Sequence, residues 1–199
     1  FHEPTMLAKQ ASTVDAISGG RLVLGIGAGW NEREYRAFGF AYDRRVSRFE
    51  EAFDIVRRLV AGERVTRSGR YHEVEDCVLD PAPVRPGGPP ILLGSIAPRM
   101  GSIALPHAAA WNVWFTQFGN AAEGFAAVKR QMDDACAAAG RATGEVAATA
   151  AVYVQVPGGQ GRLMGDDGVG AVDPIRGTTA EIADQFRAFA DAGAAHLQL

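Results

Sequence analysis

The strongest chemical signal in the sequence is a glycine-rich run, Gly25-x-Gly27-x-Gly29-Trp30-Asn31-Glu32. Glycine lets a backbone approach a ligand closely, and the start of a following helix offers free N–H groups to an anion. The run is neither the dinucleotide fingerprint G-x-G-x-x-G, because Trp30 or Glu32 stands where the third glycine belongs, nor a P-loop, because Gly-Lys-Ser/Thr is missing. Spacing alone leaves two interpretations open: a cofactor-binding loop, or a tight strand-to-helix turn in which Trp30 is a packing residue.

A second run, Gly94-Ser95-Ile96-Ala97-Pro98-Arg99, repeats the order of strand, small residues and helix start. Ser95 is placed either to cap the helix or to bind a phosphate oxygen, with Arg99 as a counter-charge. Taken by itself, the run favours an ordinary helix cap. Two such loops at equivalent ends of parallel strands nevertheless point to a shared ligand, because active sites of α/β folds lie at strand carboxyl ends.

Other residues give weaker signals. Trp111, Trp114 and Phe115 could wall a flat cofactor, although core packing is the commoner role of such rings. His2 lies in a loop before a helix, which suits a proton donor and equally suits an exposed histidine. The four histidines show no HxxxH or HExxH spacing, so we expect no metal site, and no Gly-x-Ser-x-Gly elbow is present.

The elements that must position these loops alternate between helices and buried strands. Strands are predicted at residues 21–26, 91–95, 109–115, 146–156 and 195–199, and helices at 4–18, 96–106, 121–139 and 178–192. A further helical stretch follows the first glycine run; its main body is predicted to begin at a capping box, Ser47-x-x-Glu50, and to end at Gly62. Residues 63–90 interrupt the alternation with a hairpin turning at Ser68-Gly69 and a proline-rich connection.

This alternation predicts parallel βα units and an α/β fold. Two architectures compete: a doubly wound sheet of five strands, or a (β/α)₈ barrel without its first three strands. A doubly wound sheet normally begins with a strand, whereas this chain begins in a loop that leads to a helix, and its first residue is Phe1. We therefore expect a barrel fragment that forms one domain over residues 1–199, with residues 63–90 as an insertion.

Composition excludes several classes of protein. The chain has 199 residues, of which 47% are hydrophobic and 22% charged, as expected of a globular domain. A net charge of -3 argues against nucleic acid as a partner, and no apolar stretch is long enough to suggest a membrane span. Cys77 and Cys136 form no CxxC pair, so the sequence predicts neither a disulfide framework nor a zinc site, and a reducing cytoplasm is the expected location.

The chain resembles the bacterial-luciferase-like oxidoreductases, which use FMN or the deazaflavin coenzyme F420. The resemblance covers essentially the whole chain, and its most specific part is one long run of motifs near the start. The motifs are Pro4-x-x-Leu7-Ala8-Lys9-x-x-Ser12-Thr13-x-Asp15-x-x-Ser18-Gly19-Gly20-Arg21-Leu22, Gly25-Ile26-Gly27-Ala28-Gly29-Trp30-Asn31-Glu32-x-Glu34-Tyr35, Arg48-Phe49-Glu50-Glu51, Gly69-Arg70-Tyr71, Pro90-Ile91-Leu92-Leu93-Gly94, Trp111-Asn112, Gly177-Thr178 and Ala192-Gly193.

The resemblance implies a (β/α)₈ TIM barrel in which Leu22–Ile26 is the fourth strand, three strands precede the chain, and a closing helix follows it. It also implies a cofactor, FMN or coenzyme F420, across the carboxyl ends of the strands. The implied cofactor-binding residues are Gly27, Gly29, Trp30 and Asn31 after the fourth strand, and Gly94, Ser95 and Arg99 after the fifth. The sequence departs from many relatives in reading Gly94–Arg99 in place of a small-Gly-rich run and Ala109-Ala110 in place of Asp-Gly.

The resemblance implies two chemistries: oxidation of a small organic substrate by reduced FMN and O2, or hydride transfer with coenzyme F420 without oxygen insertion. A proton-active residue often comes from the first strands, which leaves His2 as a weak catalytic candidate. The implied partners are a small-molecule substrate, a second copy of the chain and a separate flavin or F420 reductase. A non-catalytic, anion-binding barrel remnant is the alternative from another class, and the fragment alone is expected to be inactive. Residues 157–177 form a glycine-rich loop that is a candidate cover.

Overall fold

The computed structural model describes residues 2–159 and 172–199, and it shows the predicted alternation of helices and strands. The helices are α1 Pro4–Ile17, α2 Glu32–Ala37, α3 Arg45–Val60, α4 Pro98–Ala104, α5 Ala122–Ala138 and α6 Thr179–Asp191. The strands are β1 Leu24–Ile26, β2 Val65–Ser68, β3 Glu73–Cys77, β4 Ile91–Leu93, β5 Ala110–Trp114, β6 Ala147–Ala151, β7 Val154–Gln155, β8 Ile175–Arg176 and β9 His196–Gln198. The chain divides into two compact units, residues 1–92 and 93–199.

The first unit is built on α1 and α3, which pack against each other. α1 begins as predicted with Pro4 in its first turn, and the Glu3 carboxylate caps it by accepting the N–H groups of Thr5 and Met6. Gly19 and Gly20 end it at φ values of 66° and 79°, which glycine adopts without strain. The core of the unit includes buried side chains of α3, among them Phe53, Ile55, Val56 and Leu59.

The predicted capping box of α3 is wrong. The helix begins at Arg45, so Ser47 and Glu50 both lie inside it, and its N-cap Arg44 makes no side-chain cap hydrogen bond. The first turn is closed by the backbone instead, because the N–H of Arg48 donates to the Arg44 carbonyl at 3.0 Å. The sequence pattern therefore located the helix but placed its beginning too late.

The insertion contains the predicted antiparallel hairpin, in which β2 pairs with β3. Ser68 pairs with Glu73, so the turn spans residues 69–72 and is wider than the predicted two-residue turn. Glu51 of α3 holds this turn, because its carboxylate accepts the N–H groups of Arg70, Tyr71 and His72 at 2.9–3.2 Å. Arg67 of β2 also donates to Asp54 of α3 at 3.0 Å, so charged side chains fix the hairpin to the helix at two points.

The second unit contains three neighbouring parallel strands, β5, β6 and β9, with Asn112 level with Thr149 and Thr149 level with His196. α5 covers one face of these strands, where Trp111 of β5 stacks on Phe125 with ring centroids 5.9 Å apart. Phe189 of α6 lies 5.9 Å from the same ring. Core packing is therefore the role of Trp111, which is fully buried.

The predicted strand at residues 146–156 is two strands, because the chain leaves β6 after Ala151 and then forms β7, which pairs in parallel with β8. Asn120 accounts for the change of direction, since its amide bonds both the N–H and the carbonyl of Tyr153 and also the carbonyl of Asp173. The predicted capping box of the last helix is confirmed, with Thr178 and Glu181 bonding each other's backbone N–H. Residues 160–171 of the candidate cover lie outside the described residues.

Within residues 2–159 and 172–199, no helix combines the length and the apolar character that a membrane crossing requires.

Candidate functional site

The first glycine loop lies where the sequence predicted it, between the carboxyl end of β1 and the start of α2. Gly27 and Gly29 are exposed, and Gly29 has a φ of 75°, a conformation that strains residues with a Cβ. Trp30 is 73% exposed, so its ring is not a packing residue of this unit. The geometry therefore leaves the Trp30 ring and the glycine backbone of this loop exposed.

Two tyrosine hydroxyls hold backbone carbonyls of this loop. The hydroxyl of the buried Tyr35 donates a hydrogen bond to the Ala28 carbonyl, and the hydroxyl of Tyr42 donates to the Trp30 carbonyl at 3.4 Å. The two rings meet edge to face, with centroids 5.2 Å apart. Burial raises the pKa of Tyr35 and outweighs the opposing charge of Arg45, so the phenol keeps the proton that it donates.

The side chain of Asn31 caps the helix that follows the loop, α2. Its Oδ1 accepts the N–H of Arg33 at 3.1 Å, and its Nδ2 donates to Oε1 of Glu34 at 3.0 Å, so the side chain caps α2. α2 has six residues and carries Glu32 and Glu34 in its first turn. Because these carboxylates repel an anion, this end of the loop fits a neutral ring better than a phosphate.

A buried clamp precedes β1 and was missed by sequence reasoning. Asp15 of α1 is 1% exposed, and its Oδ1 accepts the N–H of Leu22 at 3.2 Å and the guanidinium of Arg85 at 2.9 Å. Arg85 also donates to the Leu22 carbonyl at 2.5 Å. Both backbone groups of Leu22 are therefore held, two residues before β1 begins. The spacing Asp15-x-x-Ser18-Gly19-Gly20-Arg21-Leu22 was the available signal, but its partner Arg85 lies 70 positions from Asp15.

The second loop follows β4. Ser95 is half-buried, and its hydroxyl oxygen accepts the N–H of Ala97 at 3.2 Å. Ala97 is the N-cap of α4 and makes no side-chain cap hydrogen bond, so Ser95 braces the loop two residues before the N-cap position. Gly94 and Arg99 are exposed, and Arg99 lies in the first turn of α4. A serine hydroxyl and a guanidinium are each suitable donors for a phosphate oxygen.

The remaining candidates are less well placed. His2 is exposed at the start of the chain, two residues before α1. Trp114 is 46% exposed at the end of β5, whereas the neighbouring Phe115 is buried. In the part of the chain that the structure describes, no three His, Cys, Asp or Glu side chains lie close enough together to hold a metal ion.

Comparison with known proteins gives a family match and curated relatives. Residues 1–160 match the family described as luciferase-like monooxygenase. Over 134 residues the chain is 29% identical to an FMNH2-dependent dimethylsulfone monooxygenase of Pseudomonas putida, covering 66% of this chain and 35% of that protein. Over 101 residues it is 34% identical to a 5,10-methylenetetrahydromethanopterin reductase of Archaeoglobus fulgidus, covering 51% and 29% respectively. The chain thus spans about a third of the length of these curated relatives.

Solved structures show the fold. A monooxygenase from Streptomyces bottropensis superposes on the whole chain with a TM-score of 0.79 at 21% identity, and the chain covers 67% of it. A coenzyme F420-dependent tetrahydromethanopterin reductase from Methanopyrus kandleri gives a TM-score of 0.78 at 16% identity over 99% of the chain and 73% of that protein. The predicted α/β fold of the luciferase-like TIM barrel is confirmed. With the family match over residues 1–160, the chain belongs to the luciferase-like monooxygenase family.

Proposed function

We propose that the chain is the cofactor-binding part of an oxidoreductase that uses reduced FMN and O2 to oxidise a small organic substrate. One observation carries the proposal: Trp30 presents an exposed ring from a loop whose carbonyls are held by Tyr35 and Tyr42. A loop backbone held in this way has little conformational freedom to lose when a flat molecule stacks on its exposed ring. Gly27 and Gly29 leave the adjacent backbone open to close approach.

Each of the two loops, taken by itself, fits the chemistry of one part of a flat cofactor with an anionic tail. Trp30 offers a stacking surface, and the acidic first turn of α2 disfavours a phosphate at that loop. Ser95 and Arg99, in the second loop, offer a hydroxyl and a guanidinium to a phosphate oxygen. When bound, reduced FMN would supply the electrons for oxygen activation, while Trp30 would orient its ring.

The second candidate function is hydride transfer with coenzyme F420, without oxygen insertion. This candidate is supported by the presence of a reductase among the curated relatives and of a coenzyme F420-dependent reductase among the similar structures. The same residues serve either cofactor, because both offer a flat ring and a phosphate-bearing chain. A non-catalytic, anion-binding barrel remnant is the third candidate; it would bind cofactor without turnover.

Titration of the 199-residue chain with FMN and with coenzyme F420, followed by fluorescence and absorbance, separates these candidates. We expect saturable binding of one of them, and Trp30→Ala to weaken it about tenfold through the lost stacking surface. Trp30→Phe, which keeps a ring, is the matched control and should retain most of the affinity. Failure to bind either cofactor would overturn the proposal. Substrate-dependent oxidation of the reduced cofactor would exclude the non-catalytic candidate.

Two partners follow from the proposed chemistry. Reduced flavin or reduced F420 has to be regenerated after each turnover, so we propose a separate reductase that supplies it. We also propose that the protein acts in the reducing cytoplasm, where such reductases operate, and that it pairs with a second copy of itself. Sedimentation of the protein with and without cofactor tests the pairing.

A further inference from the structure

The turn of the β2–β3 hairpin, at residues 69–72, binds a carboxylate of its own chain. Oε1 of Glu51 accepts the N–H of Arg70 at 3.0 Å, and Oε2 accepts the N–H groups of Tyr71 and His72 at 2.9 and 3.2 Å. The turn is closed by the N–H of Gly69, which donates to the His72 carbonyl at 3.0 Å. Three successive backbone N–H groups therefore converge on one anion, an arrangement that proteins also use to bind free anions.

The space around this carboxylate selects the kind of anion. A Cβ placed on Gly69 would lie 2.3 Å from Oε2 of Glu51 and 2.9 Å from its carboxyl carbon, so an alanine there would push the carboxylate away from the N–H groups. The φ of Gly69 is not positive, so space rather than backbone conformation requires glycine here. Phosphate carries two further oxygens outside the plane of a carboxylate, and we therefore expect it to fit poorly.

Charged and aromatic groups around the turn suit it to an anion and hold its shape. Arg67 of β2 attracts the Glu51 carboxylate through its charge. The guanidinium carbon of Arg48, on α3, lies over the Tyr71 ring at 4.5 Å from its centroid, and that of Arg70 lies at 5.5 Å. The stacking of Arg48 on Tyr71 joins the turn to α3 independently of Glu51, so the N–H groups stay oriented when the carboxylate is removed.

We propose that residues 69–72 form a binding site for a monocarboxylate, in which Glu51 is the resident ligand and which a free carboxylate enters when that side chain is shortened. Glu51 is half-buried, whereas Gly69 and Arg70 are exposed, so the site opens to solvent. In the intact chain the tethered carboxylate displaces a free one, because its effective concentration is far higher. The site is independent of the proposed cofactor chemistry.

Chemical rescue of Glu51→Ala by acetate tests the site. Thermal unfolding of the 199-residue chain is followed by circular dichroism while sodium acetate replaces sodium chloride at constant ionic strength. We expect acetate, at about ten times its dissociation constant, to shift the folding equilibrium of the variant about tenfold and to raise its Tm by roughly 3–6 °C. Wild type, whose site is filled by Glu51, should not respond. A response to phosphate equal to the response to acetate would overturn the proposal.

Glu63→Ala is the matched control, because Glu63 accepts a side-chain N–H, from Nε of Arg58 at 2.7 Å, and acetate should leave its Tm unchanged. Gly69→Ala should lower the Tm of wild type and should abolish the acetate response of Glu51→Ala. If Glu51→Ala is unfolded without acetate, we expect its circular dichroism signal to recover in acetate and not in chloride. The absence of any acetate response in Glu51→Ala, an equal response in Glu63→Ala, or a full response in the double variant would refute the site.

Discussion

The hydrogen bonds that Asp15 and Arg85 make to Leu22 give a quantitative prediction for the stability of the fold. Replacing Arg85 by alanine removes two guanidinium hydrogen bonds, to the Leu22 carbonyl at 2.5 Å and to Asp15 at 2.9 Å. The Asp15 carboxylate would remain 1% exposed, with the Leu22 N–H as its one remaining partner among the described contacts. Its Oδ2 is already buried without a hydrogen bond in the described residues, so no second oxygen compensates for the loss.

The magnitude follows from this geometry. Removing one partner of a fully buried ion pair costs about 3–5 kcal/mol. The side chain of Arg85 is 32% exposed, so solvent screens part of the interaction, and we expect about 2–3 kcal/mol. For a chain of this size, such a loss lowers Tm by roughly 4–12 °C.

Urea unfolding followed by circular dichroism measures this loss of free energy. Arg36→Ala is the matched control, because Arg36 bonds Glu32 at 2.8 Å on the surface, where a pair contributes at most about 1 kcal/mol. The cycle of Arg85→Ala, Asp15→Asn and the double variant should give a coupling free energy of about 1–3 kcal/mol. The reasoning fails if Arg85→Ala destabilises no more than Arg36→Ala, or if the two clamp substitutions are additive.

Two further predictions concern single side chains that hold distant backbone. Partial burial acts to raise the pKa of Glu51, but the N–H groups of Tyr71, Arg70 and His72 outweigh it, so the pKa lies below the ordinary value. A carboxylate whose pKa is lower in the folded state than in the unfolded state stabilises the fold at pH values above its unfolded-state pKa, and this stabilisation is lost as the pH falls through the folded-state pKa. The difference in unfolding free energy between wild type and Glu51→Gln should therefore shrink toward acid. Urea unfolding from pH 7 to pH 3 measures this difference. A difference that grows toward acid would contradict this. Asn120→Ala should cost about 2–4 kcal/mol in the same assay, because it leaves three backbone groups without their side-chain partner; a loss below about 1 kcal/mol would show that water replaces the amide.

Local signals in the sequence located most elements of the fold. Proline at the start of α1 and glycines at its end, the Thr178 capping box of α6, and the alternation of buried strands with helices all depend on residues a few positions apart. The start of α3 was misplaced because Ser47-x-x-Glu50 satisfies the same local rule without forming a cap. Local rules therefore locate elements better than they locate their first residues.

The other features that the sequence did not reveal depend on a partner residue far away in the chain. Asn120 ends β6 early by bonding Tyr153, 33 positions away, and no pattern within residues 146–156 reveals this. Trp111 and Trp114 carry the same weak prediction, yet one is buried against α5 and the other is half exposed. Residue type does not distinguish them, whereas their alternate positions on β5 do.

Side chains that bond distant backbone also explain why the most specific sequence motifs surround β1. A strand of three residues has too few hydrogen bonds to fix its own position, so its flanks must do so. Asp15 and Arg85 hold Leu22 before the strand, and Tyr35 and Tyr42 hold the carbonyls of the loop after it. The polar residues of the motif thus act on backbone, which leaves the exposed Trp30 ring as the part of the loop that we propose meets a ligand. A site built on a strand fixed at both ends is pre-organised, and its binding energy is not spent on ordering the loop.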